Sequence, residues 1–334
     1  MTTSPTPPFG AFAQDVLEGL DRPDRRLSSK WFYDERGSQL FDEITRLPEY
    51  YLTEAEASIY HHRTGDLLPY LQDGAFDLIE LGAGNGSKTQ ILLEHFFRAG
   101  LRFAYRPIDL SNSALQELGE LIRLRWPSLD FAPLHAEYFE ALDRLGKGEK
   151  GQQRRRRRRL LLFPGANIGN FTPPDAVRML QRLRGFLTPG DLLLTGFDLK
   201  KDPATILAAY NDATGITAAF NLNLLRRINR ELGGNFVLDC WRHWETYDPV
   251  TGAARSYLVP EEPQRVTLGG LGRSYDFEAW EPISVEISQK YSLPEIEGLA
   301  EQSGFRFLAH LSEERGWFTN SLWQVPGPQS TTSV

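Results

Sequence analysis

A single cysteine, Cys240, stands in a chain of 334 residues. That excludes an internal disulfide framework and a CxxC metal site. Six histidines, at positions 61, 62, 95, 135, 243 and 310, show neither HExxH nor HxH spacing, so no metal is expected. His61 and His62 read as a helix-surface pair. No run approaches the roughly 18 apolar residues that a membrane span requires. The start, MTTSPTPPFGAF, lacks a basic stretch followed by an apolar one, so no secretory signal is expected. There is no GK[ST] phosphate loop, which disfavours ATP, and no GxSxG elbow, which disfavours an α/β-hydrolase. Basic residues number 37 against 44 acidic ones, a net charge of −7 that argues against a general nucleic-acid binder. A cytoplasmic enzyme is expected, with no membrane or nucleic-acid partner.

What is present suffices for a sizeable core: 41% of the residues are hydrophobic and 24% charged. At roughly 150 residues per domain the length suggests about two domains. Residues 1–8 and 326–334, rich in Pro, Ser and Thr, read as flexible tails. Arg154 to Arg159 are six consecutive arginines; without them 31 basic residues face 44 acidic ones. Like charges repel, and no aromatic residue is interleaved, so a solvated loop is expected there.

The middle of the chain alternates strand and helix signals. Phe76 to Leu81 reads as a buried strand ending in glycines, and Ser87 to Phe97 as a helix. Arg102 to Ile108 is a second strand ending at Asp109, and Ser111 or Asn112 caps the next helix. Leu129 to Leu134 is a weaker third strand, Leu160 to Phe163 a fourth, and Asp191 to Phe197 a fifth; a helix over Pro173–Phe186 precedes the last. Repeated strand–helix units predict an α/β fold, a doubly wound parallel sheet with helices on both faces. The pattern changes after residue 200: 203–232 reads as helical and 236–289 as short strands. The expected organisation is a core over 55–200, an insertion over 201–282 and a return to the core sheet over 283–325. The N-terminal part, 12–54, is expected to join the insertion in a mixed α+β lid domain.

Glycines at 82, 84 and 86 stand where the first strand should give way to the first helix. Glycine permits a tight turn and a close approach of ligand to backbone. The spacing is GxGxG, so the dinucleotide fingerprint GxGxxG is incomplete. Asp109, at the end of the second strand, can accept from ribose hydroxyls. Lys88 could reach a methionine carboxylate, and Glu137 with Tyr138 could hold adenine. These features suit S-adenosylmethionine or a nicotinamide dinucleotide. A methyltransferase, an oxidoreductase and a non-catalytic cofactor-binding protein are all compatible with them.

Longer stretches narrow the choice. Lys30-Trp-Phe-Tyr-Asp34, Leu47-Pro-Glu-Tyr-Tyr51, Ile79-Glu-Leu-Gly82, Ser87-Lys-Thr89 and Ile168-Gly-Asn170 occur in that order. Asp198-Leu-Lys-Lys-Asp202, Ala209-Tyr-Asn-Asp212, Thr217-Ala-Ala-Phe-Asn221, Ile228-Asn-Arg-Glu-Leu232 and Val285-Glu-Ile-Ser288 follow. Over roughly 30–325 the chain resembles the S-adenosylmethionine-dependent histidine Nα-methyltransferases of the ergothioneine pathway. The resemblance implies a class I, Rossmann-like methyltransferase core that binds S-adenosylmethionine and releases S-adenosylhomocysteine. It implies cofactor contacts at Gly82, Gly84, Gly86, Lys88, Asp109, Glu137 and Tyr138. Tyr50, Asn170 and Tyr210 would hold the α-amino and carboxylate groups of L-histidine, with Tyr33 near the reacting nitrogen. Tyr33, Tyr50 and Asn170 are thus the catalytic candidates. Glu286 and Ser288 would read the imidazole, helped by Thr217. The expected product is hercynine, made by a monomer. Two departures bear on side-chain specificity. Ser256 aligns near a methionine of one family member, and Asn167 stands where a hydroxyl residue is common. Glu137-Tyr138 replaces a common Asp-Phe pair but keeps an acceptor followed by an aromatic ring. Tryptophan, another histidine derivative or a small amine are the alternative acceptors.

Overall fold

The computed structural model describes residues 10–150 and 156–327. The flexible tails expected from sequence lie outside the described residues, apart from Pro326 and Gly327, and so do Arg154 and Arg155.

The described chain opens with α1 (Gly10–Leu20), which buries Phe12, Ala13, Val16 and Leu20 on one face. α2 (Glu35–Ile44) starts at Asp34, whose carboxylate accepts the Gly37 N–H at 2.8 Å. α3 (Leu52–Arg63) buries Leu52, Ala55, Ile59 and Tyr60 in one stripe, with Glu56 inside it. An alternating series follows: β1 (Phe76–Leu81), α4 (Thr89–Arg98), β2 (Phe103–Asp109), α5 (Asn112–Arg125), β3 (Asp130–Phe131) and β4 (Leu134–His135). It continues with α6 (Tyr138–Lys150), β5 (Arg158–Phe163), α7 (Pro173–Phe186) and β6 (Leu192–Asp198). Then come α8 (Pro203–Tyr210), α9 (Ile216–Leu232), β7 (Trp241–Asp248), β8 (Ala253–Pro260), β9 (Gln264–Leu268), β10 (Arg273–Phe277) and β11 (Ile283–Gln289). α10 (Leu293–Gln302), β12 (Arg306–Ser312) and β13 (Phe318–Gln324) close the described part. Among the described residues no helix is long and apolar enough to cross a membrane.

These elements form two units. Residues up to Tyr51 and Lys201–Ser288 make a mixed unit; Leu52–Lys200 and the residues from Gln289 onward make an α/β unit. The expected breaks at 54 and 282 therefore fall instead at 51 and 288. The second shift is a correction: β11 pairs with β8 in a three-stranded sheet ordered β11-β8-β7, not with the core sheet. Glu286 and Ser288 thus belong to the mixed unit. Its apolar core joins Phe12, Val16 and Leu40 to Leu224, Ile228, Trp241, Leu258 and Val285.

In the α/β unit the strand order is β12-β13-β6-β5-β1-β2-β3, with β4 also on β2. β1 runs parallel to both β2 and β5, and β5 parallel to β6. β13 inserts antiparallel between β6 and β12. Doubly wound parallel strands closed by one antiparallel strand make the class I methyltransferase fold. Leu161, Leu193, Phe197 and Trp323 lie in its core, against Met179, Leu183 and Ile296 from helices. Ser111 caps α5 by accepting the Ala114 N–H at 3.2 Å. The single third strand expected over 129–134 is two short pieces. Pro133 separates them, and a proline has no N–H for the ladder.

The arginine run departs furthest from expectation. Arg158 and Arg159 open β5, and Arg159 is 3% exposed. Its guanidinium stacks over Phe186 and donates to the Phe186 carbonyl at 3.0 Å. Arg156 pairs with buried Asp191 at 2.5 Å, and Arg157 with Asp77 and Asp130 at 3.5 and 3.6 Å. Acids remote in sequence thus pair with Arg156 and Arg157, backbone carbonyls hold Arg158 and Arg159, and a solvated loop is the wrong reading for these four.

Candidate functional site

In an open α/β sheet, ligands bind outside the carboxyl ends of the strands, where the strand order reverses. Here the order reverses at β1, between β2 and β5. The loop after β1 carries Gly82, Gly84 and Gly86, all left-handed, with φ of 72°, 53° and 70°. A Cβ at Gly82 would stand 2.8 Å from the Tyr138 hydroxyl and 3.7 Å from Asn167 Nδ2. One at Gly86 would meet Leu118 at 2.5 Å. Asp109, ending β2, accepts the Gly84 N–H at 2.8 Å on one oxygen and the Ser111 N–H at 2.8 Å on the other. A carboxylate has about four acceptor positions, so capacity for further donors remains. Tyr138, at the start of α6, is half-buried, and burial followed by the Asp109 charge pushes its hydroxyl pKa up. Glu137 beside it is exposed. Gly82 thus stands beside both Tyr138 and Asn167, and Asp109 holds the same loop at Gly84.

Two side chains that sequence reasoning passed over complete this region. Glu56 of α3 is fully buried. Its carboxylate pairs with the Lys88 ammonium and accepts the Gly165 N–H at 3.0 Å on both oxygens. The other side of the same peptide is held too, since the Pro164 carbonyl accepts Asn167 Nδ2 at 2.8 Å. Asn170, closing the helical turn Asn167–Asn170, is exposed. Glu80, the second, is also buried and accepts from the Thr89 and Tyr105 hydroxyls. Burial pushes its pKa up to about 7, against the opposing pull of those two hydroxyls. The signal for Glu56 was legible: an acid at i+4 from Leu52 and i−4 from Tyr60 lies in the apolar stripe of its helix.

The mixed unit carries a second cluster. Tyr210, at the end of α8, shares a 2.8 Å hydrogen bond with the hydroxyl of Ser288 on β11, and both are buried. The Tyr50 ring meets the Tyr210 ring edge-on with centroids 6.3 Å apart. Tyr33 is 50% exposed and packs edge-on against Phe41 and Phe220. Glu286 lies two residues before Ser288 on the same strand and is half-buried. Thr217, in the first turn of α9, is buried, and its N–H donates to Asp212 at 2.7 Å. Burial works to raise the Asp212 pKa, but hydrogen bonds from Thr214, Thr217 and Ile216 outweigh it and draw it down to about 2. Ser256, buried on β8, donates to Glu245 at 2.6 Å. Its hydroxyl is therefore committed to a buried carboxylate. Neighbouring His243 is held down to about 4 by burial, against the pull of Asp212, so its ring is neutral at pH 7. Among the described residues no group of three or more His, Cys, Asp or Glu side chains is arranged to hold a metal ion.

Comparison with known proteins bears on this arrangement. Residues 12–325 match the model of a family described as histidine-specific, SAM-dependent methyltransferases. The chain is 35% identical over 312 residues to a histidine N-alpha-methyltransferase of Mycobacterium tuberculosis, covering 93% of this chain and 94% of that protein. It is 36% identical over 312 residues to one of Mycolicibacterium smegmatis, with the same coverage. It is also 35% identical over 286 residues to ergothioneine biosynthesis protein 1 of Neurospora crassa, covering 84% of this chain and 31% of that longer protein.

Proposed function

Because the chain belongs to the histidine-specific, SAM-dependent methyltransferase family, we propose that it methylates the α-amino nitrogen of L-histidine three times, giving hercynine for ergothioneine-type biosynthesis. The observation that carries this reading is identity along nearly the whole of both chains with relatives named for that acceptor.

The cradle at β1 fits the donor, because a side chain at Gly82 would fill it. Bound there, S-adenosylmethionine supplies an electrophilic sulfonium methyl. Asp109 would receive the ribose hydroxyls, Glu137 and Tyr138 the adenine, and Lys88 the methionine carboxylate. Tyr50, Asn170 and Tyr210 would hold the α-amino and carboxylate groups of the acceptor. The amine must lose its proton before it can attack, and Tyr33 is exposed enough to pass that proton to water. Tyrosine hydroxyls and an asparagine amide orient an amine without competing for the methyl group. Holding the reactants in attack geometry can lower the barrier by roughly 7–11 kcal/mol. Glu286 would accept from an imidazole N–H, and Ser288, oriented by Tyr210, would engage the other ring nitrogen. Residues two apart on a strand face one side, so both can address one ring. A cytoplasmic, metal-independent monomer is part of the same proposal.

The test is a mass-spectrometric assay with S-adenosylmethionine and each common amino acid in parallel. Gains of one to three methyl groups on histidine alone are expected. Methylation of a different amino acid would overturn the Glu286 and Ser288 assignment, and no methylation at all would overturn the proposed reaction.

A further inference from the structure

Glu56 lies outside every role assigned above, yet it is held from two separate segments of the α/β unit. It is fully buried, and its partners include the Lys88 ammonium, the Gly165 N–H and the Tyr60 hydroxyl. Lys88 is only partly covered, with 26% of its side chain exposed. An ammonium has three donors, so the contact with Glu56 leaves others for a ligand. Gly165 is left-handed, with φ of 72°, and a Cβ there would stand 3.4 Å from the Lys88 nitrogen. One carboxylate therefore ties the start of α4 to the loop after β5, the two segments that flank the reversal point of the sheet.

A lone lysine presents a positive charge and prefers a simple anion. A lysine balanced by a fixed carboxylate presents no net charge, and suits a group that carries both signs. Resting on the reading that Lys88 meets the donor's carboxylate, we propose that Glu56 is a positioning residue that makes this end of the site select a zwitterionic amino-acid group. It acts through Lys88 and through its own field. A buried charge is weakly screened, so its effect on a nearby ligand ammonium is worth tenfold or more in affinity, to order of magnitude.

The experiment is calorimetry on the full chain with S-adenosylhomocysteine and with its analogue lacking the α-amino group. The wild-type protein should prefer S-adenosylhomocysteine by about tenfold or more. Glu56→Gln keeps an acceptor for the Gly165 N–H but removes the charge, and should shrink that preference to within about threefold. Equal weakening of both ligands would mean a purely structural role and would overturn the proposal, as would an unchanged preference. The wild-type comparison needs no variant, so equal binding of the two ligands there would overturn it even if Glu56→Gln did not fold. Lys88→Met separates the underlying reading: if it leaves both affinities unchanged, Lys88 does not meet the donor, and that reading fails first.

Discussion

Replacing Glu80 by glutamine should change how the stability of the α/β unit depends on pH. Glu80 is buried, and burial raises its carboxyl pKa from the ordinary 4.5 to about 7. The folded state therefore holds the proton more tightly than the unfolded chain does. The resulting stabilisation is complete below pH 4.5, declines as pH rises, and is gone above pH 7. The separation between the two values corresponds to about 3 kcal/mol. Glutamine occupies nearly the same volume and does not titrate. The stability difference between wild type and Glu80→Gln should then shift by about 3 kcal/mol between pH 4.5 and pH 8, in favour of the variant at the higher pH. Urea unfolding, read through hydrogen exchange of the β1 and β2 amides, reports this unit by itself. Subtracting the variant cancels every other titrating group that the substitution leaves undisturbed. A difference constant to within about 0.5 kcal/mol across that range would refute the argument, because a carboxyl with an ordinary pKa leaves almost no slope there.

Other outcomes follow from the same structure. Glu286→Ala should raise the KM for histidine by about 10- to 150-fold, the worth of a charge-assisted hydrogen bond, without changing S-adenosylhomocysteine affinity; intact histidine turnover would refute the imidazole assignment. Gly82→Ala should cost about 1–2 kcal/mol from its left-handed backbone alone, and should further weaken S-adenosylhomocysteine binding through the contact with Tyr138; an unchanged calorimetric titration would refute the close approach. Arg159→Ala should destabilise the α/β unit by about 1–3 kcal/mol, measured by urea unfolding, because the Phe186 carbonyl loses its donor and the ring its cation.

Much of this was legible in the sequence because it is local. β1 was readable from a short apolar run ending in glycine, and α7 from a proline pair at its start followed by helical spacing. The left-handed turns at 82, 84 and 86 follow from glycine itself. What escaped depends on partners distant along the chain. The arginine run looked like self-repelling charge because Asp77, Asp130 and Asp191 could not be seen beside it. The pairing of β11 with β8 was missed because alternation defines a strand and leaves its neighbour open. Glu56 was overlooked because an acid on a helix ordinarily faces water, and only its position within the apolar stripe said otherwise.

The late insertion of β13 has a consequence for synthesis on the ribosome. All seven residues of β6 are buried, and the strand depends on β13 to cover one edge. β13 lies more than a hundred residues further along the chain. Throughout translation of that stretch, β6 presents an apolar ribbon with unpaired N–H and C=O groups, a template for pairing with other nascent chains. A transcript cut short between Ser288 and Phe318 would leave that edge bare permanently. Such products should be insoluble even though every residue quoted in the family resemblance is already present in them.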